Sequence, residues 1–146
     1  MASSPASDGP RYESIECGGT LPPLEITPTI AQLFLYSAVT WNAHRIHYDS
    51  AYAASEGYPA QVIHGPFQGA LLTRLVTDWC GDRGHLSRLA YSHRGIAFLG
   101  DTLICKAKIA KKHEADGVPL VDLDLTVETQ RGEVTTLGHA TVAFPR

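Results

Sequence analysis

The sequence predicts a single α+β domain in which one long apolar helix lies across the buried face of an antiparallel β-sheet. Three observations predict it. Two adjacent apolar rows, Phe67-Leu71-Leu75-Trp79 and Leu72-Val76-Cys80, recur at helical spacing behind Gly65-Pro66, a stripe wide enough to press against a sheet. Beyond Gly81 the apolar period changes to that of a strand: Leu103, Cys105, Ala107 and Ile109 alternate with Ile104, Lys106 and Lys108, and Val121, Leu123, Leu125 and Val127 alternate with Asp122, Asp124, Thr126 and Glu128. Helices come first and strands follow, which is α+β order, and clean alternation leaves one sheet face buried and the other polar.

The elements follow in order. Residues 1–10 are small, polar and Pro/Gly-bearing and read as a disordered tail, with the domain over 11–146. Leu24-Glu25-Ile26 reads as a short strand. Thr27-Pro28 reads as an N-cap with proline at the first helical position. A helix from about Thr29 to Thr40 follows, with Ile30, Leu33, Phe34, Ser37 and Ala38 on one face. Trp41 to Ile46 is too polar for a core element. A second short helix runs from Asp49 to Ser55 and breaks at Gly57-Tyr58-Pro59. The long helix opens at Gly65-Pro66, stops at Gly81 and is about 22 Å long at about 1.5 Å per residue. Four β-rich runs follow: Leu89 to Phe98, those around Leu103 and Val121, and Val134 to Phe144. Gly100-Asp101, Asp116-Gly117 and Arg131-Gly132 mark turns.

Composition narrows the function classes. The 146 residues are one domain's length, and 44% hydrophobic with 18% charged is a globular balance. A net charge of -3 argues against a nucleic-acid binder that works by neutralising phosphates. The longest apolar run falls well short of the roughly 20 residues that cross a bilayer, so no membrane partner is expected. The opening MASSPASDGP lacks the basic and apolar parts of a secretory signal. Cys17, Cys80 and Cys105 are far apart with no CxxC, so neither a disulfide framework nor a zinc finger is indicated. A cytoplasmic location is expected, or a mitochondrial matrix one in a eukaryote.

Two segments interrupt apolar surroundings with polar chemistry: Asn42-Ala43-His44-Arg45-Ile46-His47-Tyr48-Asp49, and Val62-Ile63-His64-Gly65-Pro66 at the mouth of the long helix. They hold three of the seven histidines. A histidine near neutral pKa can take and return a proton at physiological pH. A backbone N–H at a helix N-terminus is a fixed donor at a positive dipole end. Glycine at that position lets a carbonyl approach closely, and Pro66 suits the first turn.

The stretch from Tyr36 to Asp49 resembles the hydratase motif of the MaoC-like hot-dog proteins. It is most similar to the branch holding mesaconyl-/itaconyl-CoA hydratases and the type 2 hydroxyacyl-thioester dehydratases, and Tyr58 to Pro66 matches the same branch. The similarity is dense from about Leu33 to Leu75. It implies a single hot-dog fold, a homodimer or higher homo-oligomer, and addition or removal of water across the 2,3-bond of an acyl-CoA or acyl-carrier-protein thioester. It implies His47 as catalytic histidine and Gly65 as the amide that receives the thioester carbonyl. Asn42 stands where the standard motif has a catalytic aspartate. Asparagine is no base near pH 7, so proton transfer falls to His47, with Asn42 holding the water or the histidine and His44 as a second candidate. Arg45, His64 and Pro66 are the candidate substrate-binding residues.

Plainer roles compete for several of these. Arg45 is spaced to pair with Asp49, and Arg74 with Asp78. His64 is placed to cap or pack beneath the turn. His85, His93, His113 and His139 default to surface or sheet positions, and Lys106, Lys108, Lys111 and Lys112 to a solvated strand face. Cys105 reads as core. Asn-x-His-x-x-His lacks a third ligand at a typical spacing, so no metal and no cofactor is expected. The alternatives to a hydro-lyase are a thioesterase, which usually has a carboxylate on or near the long helix and ranks lower because Asp78 lies near the far end, away from Gly65, a non-catalytic acyl-thioester-binding subunit, and a pathway-specific dehydratase or cyclase of secondary metabolism.

Overall fold

The two apolar rows form helix α3 (Gly65–Cys80). They bury Phe67, Leu71, Leu72, Leu75, Val76 and Cys80, and leave Trp79 half-buried. The computed structural model describes residues 8–144. The helix lies against one five-stranded antiparallel sheet in the order β1-β3-β4-β5-β2, with β1 at Leu24–Ile26, β2 at His85–His93, β3 at Leu103–Ala115, β4 at Val118–Thr129 and β5 at Val134–Ala143. Strands β3, β4 and β5 are the predicted meander, paired through Ile109↔Leu123 and Leu123↔Ala140. Leu103, Cys105, Ala107 and Ile109 are buried, as are Val121, Leu123, Leu125 and Val127, so the alternation names the face that α3 covers. This is the expected hot-dog fold. Strand β2 packs closely on α3: a Cβ on Gly69 would lie 2.3 Å from the Tyr91 ring, a distance that only glycine permits.

Two elements differ in their bounds from expectation. Helix α1 (Ile30–Val39) is capped by Thr29 rather than Thr27. The Thr29 hydroxyl accepts from the Gln32 N–H at 3.3 Å, and the Thr29 N–H donates to Gln32 Oε1 at 2.8 Å. This reciprocal capping box satisfies two orphan donors and leaves Pro28 outside the helix. Only Leu33 and Ser37 of α1 are buried, while Ile30, Phe34, Leu35 and Val39 stay exposed; the apolar face read from the sequence is largely outside the core. Strand β2 occupies His85–His93 instead of Leu89 to Phe98. It turns away because the Arg94 and Gly95 N–H groups both donate to Thr135 O, at 2.8 and 3.2 Å. Ala97 and Phe98 then pair with the second chemistry-bearing segment: Ile63 N–H donates to Ala97 O at 2.8 Å, and Val62 bridges Phe98. Helix α2 (Ser50–Ser55) is as predicted, capped by Asp49.

Of the predicted tail, residues 1–7 lie outside the described residues, and Asp8 reaches Arg83 at 3.4 Å. Lys106 pairs with Glu128, and Lys112 Nζ donates to Tyr12 O and Ile15 O, so half of the lysine strip is tied to its own fold. His113 and His139 pair with Asp122 and Asp124, each at 2.9 Å. Asp101 ties the turn before β3 to the β4–β5 turn, accepting from Arg131 Nη1 at 2.8 Å and Gln130 Nε2 at 3.1 Å. Cys80 and Cys105 are buried free thiols and Cys17 is exposed. Among the described residues no helix is long and apolar enough to cross a membrane, and no group of three or more His, Cys, Asp or Glu is placed to hold a metal ion.

Candidate active site

The site is assembled from a helix end, a short turn and a helix start. Helix α1 ends in a Schellman motif: Trp41 N–H donates to Ala38 O at 3.4 Å, and Asn42 N–H to Ser37 O at 2.9 Å. Trp41 takes the left-handed position at φ 55, usually given to glycine. Asn42 is thereby fixed as the first residue beyond the helix. Its Oδ1 accepts from the His44 N–H at 3.4 Å, and His44 Nδ1 accepts from the Ile46 N–H at 3.4 Å. Both side chains thus spend an acceptor on shaping the 3₁₀ turn Arg45–His47, and both remain accessible. Arg45 turns outward to Asp49, with Nη2 at 2.5 Å from Oδ2, and lies over the Tyr52 ring at 4.7 Å. Asp49 also caps α2, so the structural pairing weighed for Arg45 is present. The cap bond from Tyr52 N–H and the Arg45 contact hold the Asp49 carboxyl below the usual range.

His47 is buried, with 7% of its surface exposed. Its Nδ1 lies 2.8 Å from Val62 O. A carbonyl only accepts, so Nδ1 carries the proton and Nε2 holds the free lone pair. The two chemistry-bearing segments are zipped together, since Val62 N–H donates to Ile46 O at 2.9 Å. Burial lowers the His47 pKa, the Val62 bond opposes this, and His44 lowers it further. At neutral pH the ring is therefore uncharged, with Nε2 available as a base.

Two residues beyond Val62, His64 occupies the N-cap of α3, yet its side chain makes no cap bond. It turns inward, fully buried, and stacks on His47 with centroids 3.7 Å apart and planes 17° from parallel. His64 Nε2 lies 2.8 Å from Ser37 Oγ on α1. Burial, with His47 close by, pushes the His64 pKa down to about 4. Because the cap residue looks away, the opening amides of α3, Gly65 among them, remain for a ligand. Gly65 is partly accessible, Pro66 is exposed and contributes no N–H, and the first helical bond comes only from Gln68 N–H to His64 O at 3.4 Å.

The sequence did not single out His93. A Cβ on Gly65 would lie 2.4 Å from His93 Nε2, so this ring from β2 packs beside the mouth of α3. Its Nδ1 is 3.1 Å from Thr136 Oγ1, whose hydroxyl donates to Gln68 Oε1 at 2.9 Å. Thr136 then has only a lone pair to offer, which places the His93 proton on Nδ1. Ser37 was visible only as a hydroxyl on an apolar helix face, a placement that calls for a buried partner. A cavity of about 200 Å³ opens beside Ser37, lined also by Phe34, Ala38, Trp41, Ala43 and Tyr48. A larger one, about 580 Å³, lies at the opposite end of α3 around Leu75, Asp78 and Trp79, remote from these histidines.

The depressed histidines set a stability prediction. Between about pH 6.5 and about pH 4 the unfolded chain binds a proton at position 64 that the folded chain refuses. Folding stability therefore falls as pH drops through that window and levels off below it, and His47 acts in the same direction. Urea midpoints measured across this range check the slope, and a His64→Gln variant flattens it.

The chain is thus a hot-dog with a buried, uncharged histidine beside the uncapped start of its central helix. The profile of the family described as hydroxyacyl-thioester dehydratase type 2 matches residues 20–101, more than half of the chain, and the chain belongs to that family. It is 46% identical over 90 residues to the mesaconyl-C(4)-CoA hydratase of Chloroflexus aurantiacus, an alignment covering 56% of this chain and 30% of that protein. It is 51% identical over 41 residues to the mitochondrial type 2 hydroxyacyl-thioester dehydratase of Schizosaccharomyces pombe, covering 27% of this chain and 14% of that one. The chain thus spans less than a third of either relative's length. Among solved structures, the (R)-hydratase of A. caviae superimposes with a TM-score of 0.82 at 22% identity, over 91% of this chain and 99% of that one, a likeness of fold.

Proposed function

We propose that this protein is a hydro-lyase that adds water to, or removes it from, the 2,3-bond of an acyl thioester. The observation that carries the proposal is the His47 tautomer: Val62 O holds the proton on Nδ1 and leaves Nε2 bare in a ring that burial keeps uncharged. In hydration, His47 Nε2 takes a proton from water as the oxygen bonds to C3. The C2=C3 pair shifts toward the thioester carbonyl, whose developing negative charge meets the Gly65 N–H and the positive end of α3. The protonated Nε2 then returns its proton to C2. Dehydration is the reverse. One base handles both transfers, because Asn42 has no proton to exchange near neutral pH; Asn42 and His44 shape the turn that presents His47 and stay accessible to water.

The substrate handle is CoA or an acyl carrier protein, with Pro66 beside its path, and a short apolar acyl segment fits the cavity at Phe34, Ser37 and Tyr48. The relatives named for mesaconyl-C(4)-CoA and hydroxyacyl-thioesters support that substrate class. A homodimer is part of the proposal. Strand β2 is a free edge, and Tyr91, Ile96, Val134 and Leu137 leave apolar surface exposed there. Three free thiols, two of them buried, suit a reducing compartment such as the cytoplasm. The thioesterase reading is weaker because Asp78 lies roughly 20 Å along α3 from Gly65 and sits with Arg74.

Ultraviolet absorbance of a conjugated enoyl-CoA tests the function. The expected result is loss of the conjugated band with no free thiol released. Thiol release instead of hydration marks a thioesterase, and binding without either marks a non-catalytic subunit.

A further inference from the structure

His64 is buried without being part of the proton path derived above. It makes no cap bond for the helix it begins, and its Nδ1 has no hydrogen-bond partner among the described residues. A side chain that buries a polar ring and leaves one nitrogen unpaired costs stability, so a packing role alone is better served by an apolar residue. What the ring does make is specific: a near-parallel stack on His47 at 3.7 Å and a 2.8 Å bond to Ser37 Oγ. The Tyr36 ring closes on it edge-on from the same helix at 5.0 Å.

We propose that His64, anchored by Ser37, is a positioning residue: an uncharged aromatic platform that fixes the plane of the His47 ring and keeps water off one of its faces. The stacked geometry offers no hydrogen bond between the two rings, so His64 passes no proton to His47. Protonating His64 would place an N–H at Nδ1 with no acceptor and a positive charge against the ring that must become positive during turnover. The platform therefore works only while neutral. Among the described residues, the titratable side chains whose rings touch this pair are His44, 6.2 Å from His47, and Tyr36, 5.0 Å from His64; Arg45 and Asp49 pair with each other on the outer side of the turn. None of these is hydrogen-bonded to either stacked ring.

This inference rests on the hydro-lyase reading for its kinetic arm but not for its spectroscopic one. Ring-proton NMR titration of His47, with no substrate present, compares the wild type with His64→Ser and His64→Gln. His64→Ser removes the platform and admits water, and the His47 midpoint is expected to rise toward the ordinary value. His64→Gln keeps a planar group that can bond Ser37 but cannot titrate, and the midpoint is expected to stay near the wild-type one. In the enoyl-thioester assay His64→Ser is expected to lower kcat by tenfold or more with little change in KM and to move the acid limb of the pH–rate profile upward, while His64→Gln stays within a few-fold. An unmoved His47 midpoint in His64→Ser overturns the platform. A loss in His64→Gln as large as in a His47 variant overturns it too, because His64 would then be exchanging protons itself. Failure of wild-type turnover, with the NMR shift intact, sinks the hydro-lyase reading and leaves the platform standing.

Discussion

Replacing His47 with asparagine is expected to lower kcat for enoyl-thioester hydration by a factor of about 10²–10⁴, the usual worth of a positioned acid–base group, while the chain still folds. Asparagine is the informative choice. Its side-chain N–H₂ falls close to where Nδ1 lies and can keep donating to Val62 O, a bond of 2.8 Å in the native protein. Nothing in asparagine occupies the place of Nε2. His47→Ala is the poorer test, because it also leaves the Val62 carbonyl buried and unpaired, at a cost of about 1–3 kcal/mol, and opens a void against His64. Activity lost together with the fold would say nothing about proton transfer. The paired measurement is therefore kcat with a urea unfolding midpoint. A drop in kcat below tenfold with an intact midpoint removes His47 from the mechanism. KM is expected to change little, since the lost interaction belongs to the transition state rather than to substrate binding.

The fold was legible wherever burial imposes a period. Helix α3 and strands β3 to β5 each present one face to a single core, and their apolar spacing follows directly from that. Strand β2 was harder to bound because its end is decided by long-range pairing: Arg94 and Gly95 turn to Thr135 O, and Ala97 goes to Ile63. No local pattern records such a choice. Helix α1 was legible from its spacing, but how deeply it sits was not, since Leu33 and Ser37 of that row are buried while Ile30 and Phe34 are exposed. At the site, the motif segments pointed to His47 and Gly65, which the Val62 carbonyl and the Ile46 carbonyl draw into one neighbourhood. The stack of His64 on His47 and the bond to Ser37 join residues far apart in sequence, and polar pairs of this kind leave no periodic trace. His93 was invisible for the same reason, as its approach to Gly65 depends on how β2 crosses the helix.

That approach makes position 65 the second site of large effect, and two substitutions there separate what the amide contributes from what the space contributes. Gly65→Ala keeps the N–H but sets a methyl 2.4 Å from His93 Nε2, so the His93 ring must swing and break its bond to Thr136 or the helix start must shift. A loss of several-fold in kcat/KM is expected, with a small loss of stability because the displaced atoms end a side chain that can move. Gly65→Pro adds the same crowding and also deletes the donor. The backbone tolerates it at the preceding residue, since His64 sits at φ -57 and ψ 137, the extended range required before proline, and position 65 opens the helix, where proline is favoured. The further decrease from alanine to proline reads the oxyanion contribution, and about 10²–10³ in kcat is expected for loss of one such donor. His93→Ala in the alanine background is expected to restore part of the first loss and none of the second. If alanine and proline are equally impaired while both unfold at the native midpoint, the Gly65 amide does not hold the thioester oxygen, and the carbonyl must be met by another group at the mouth of α3.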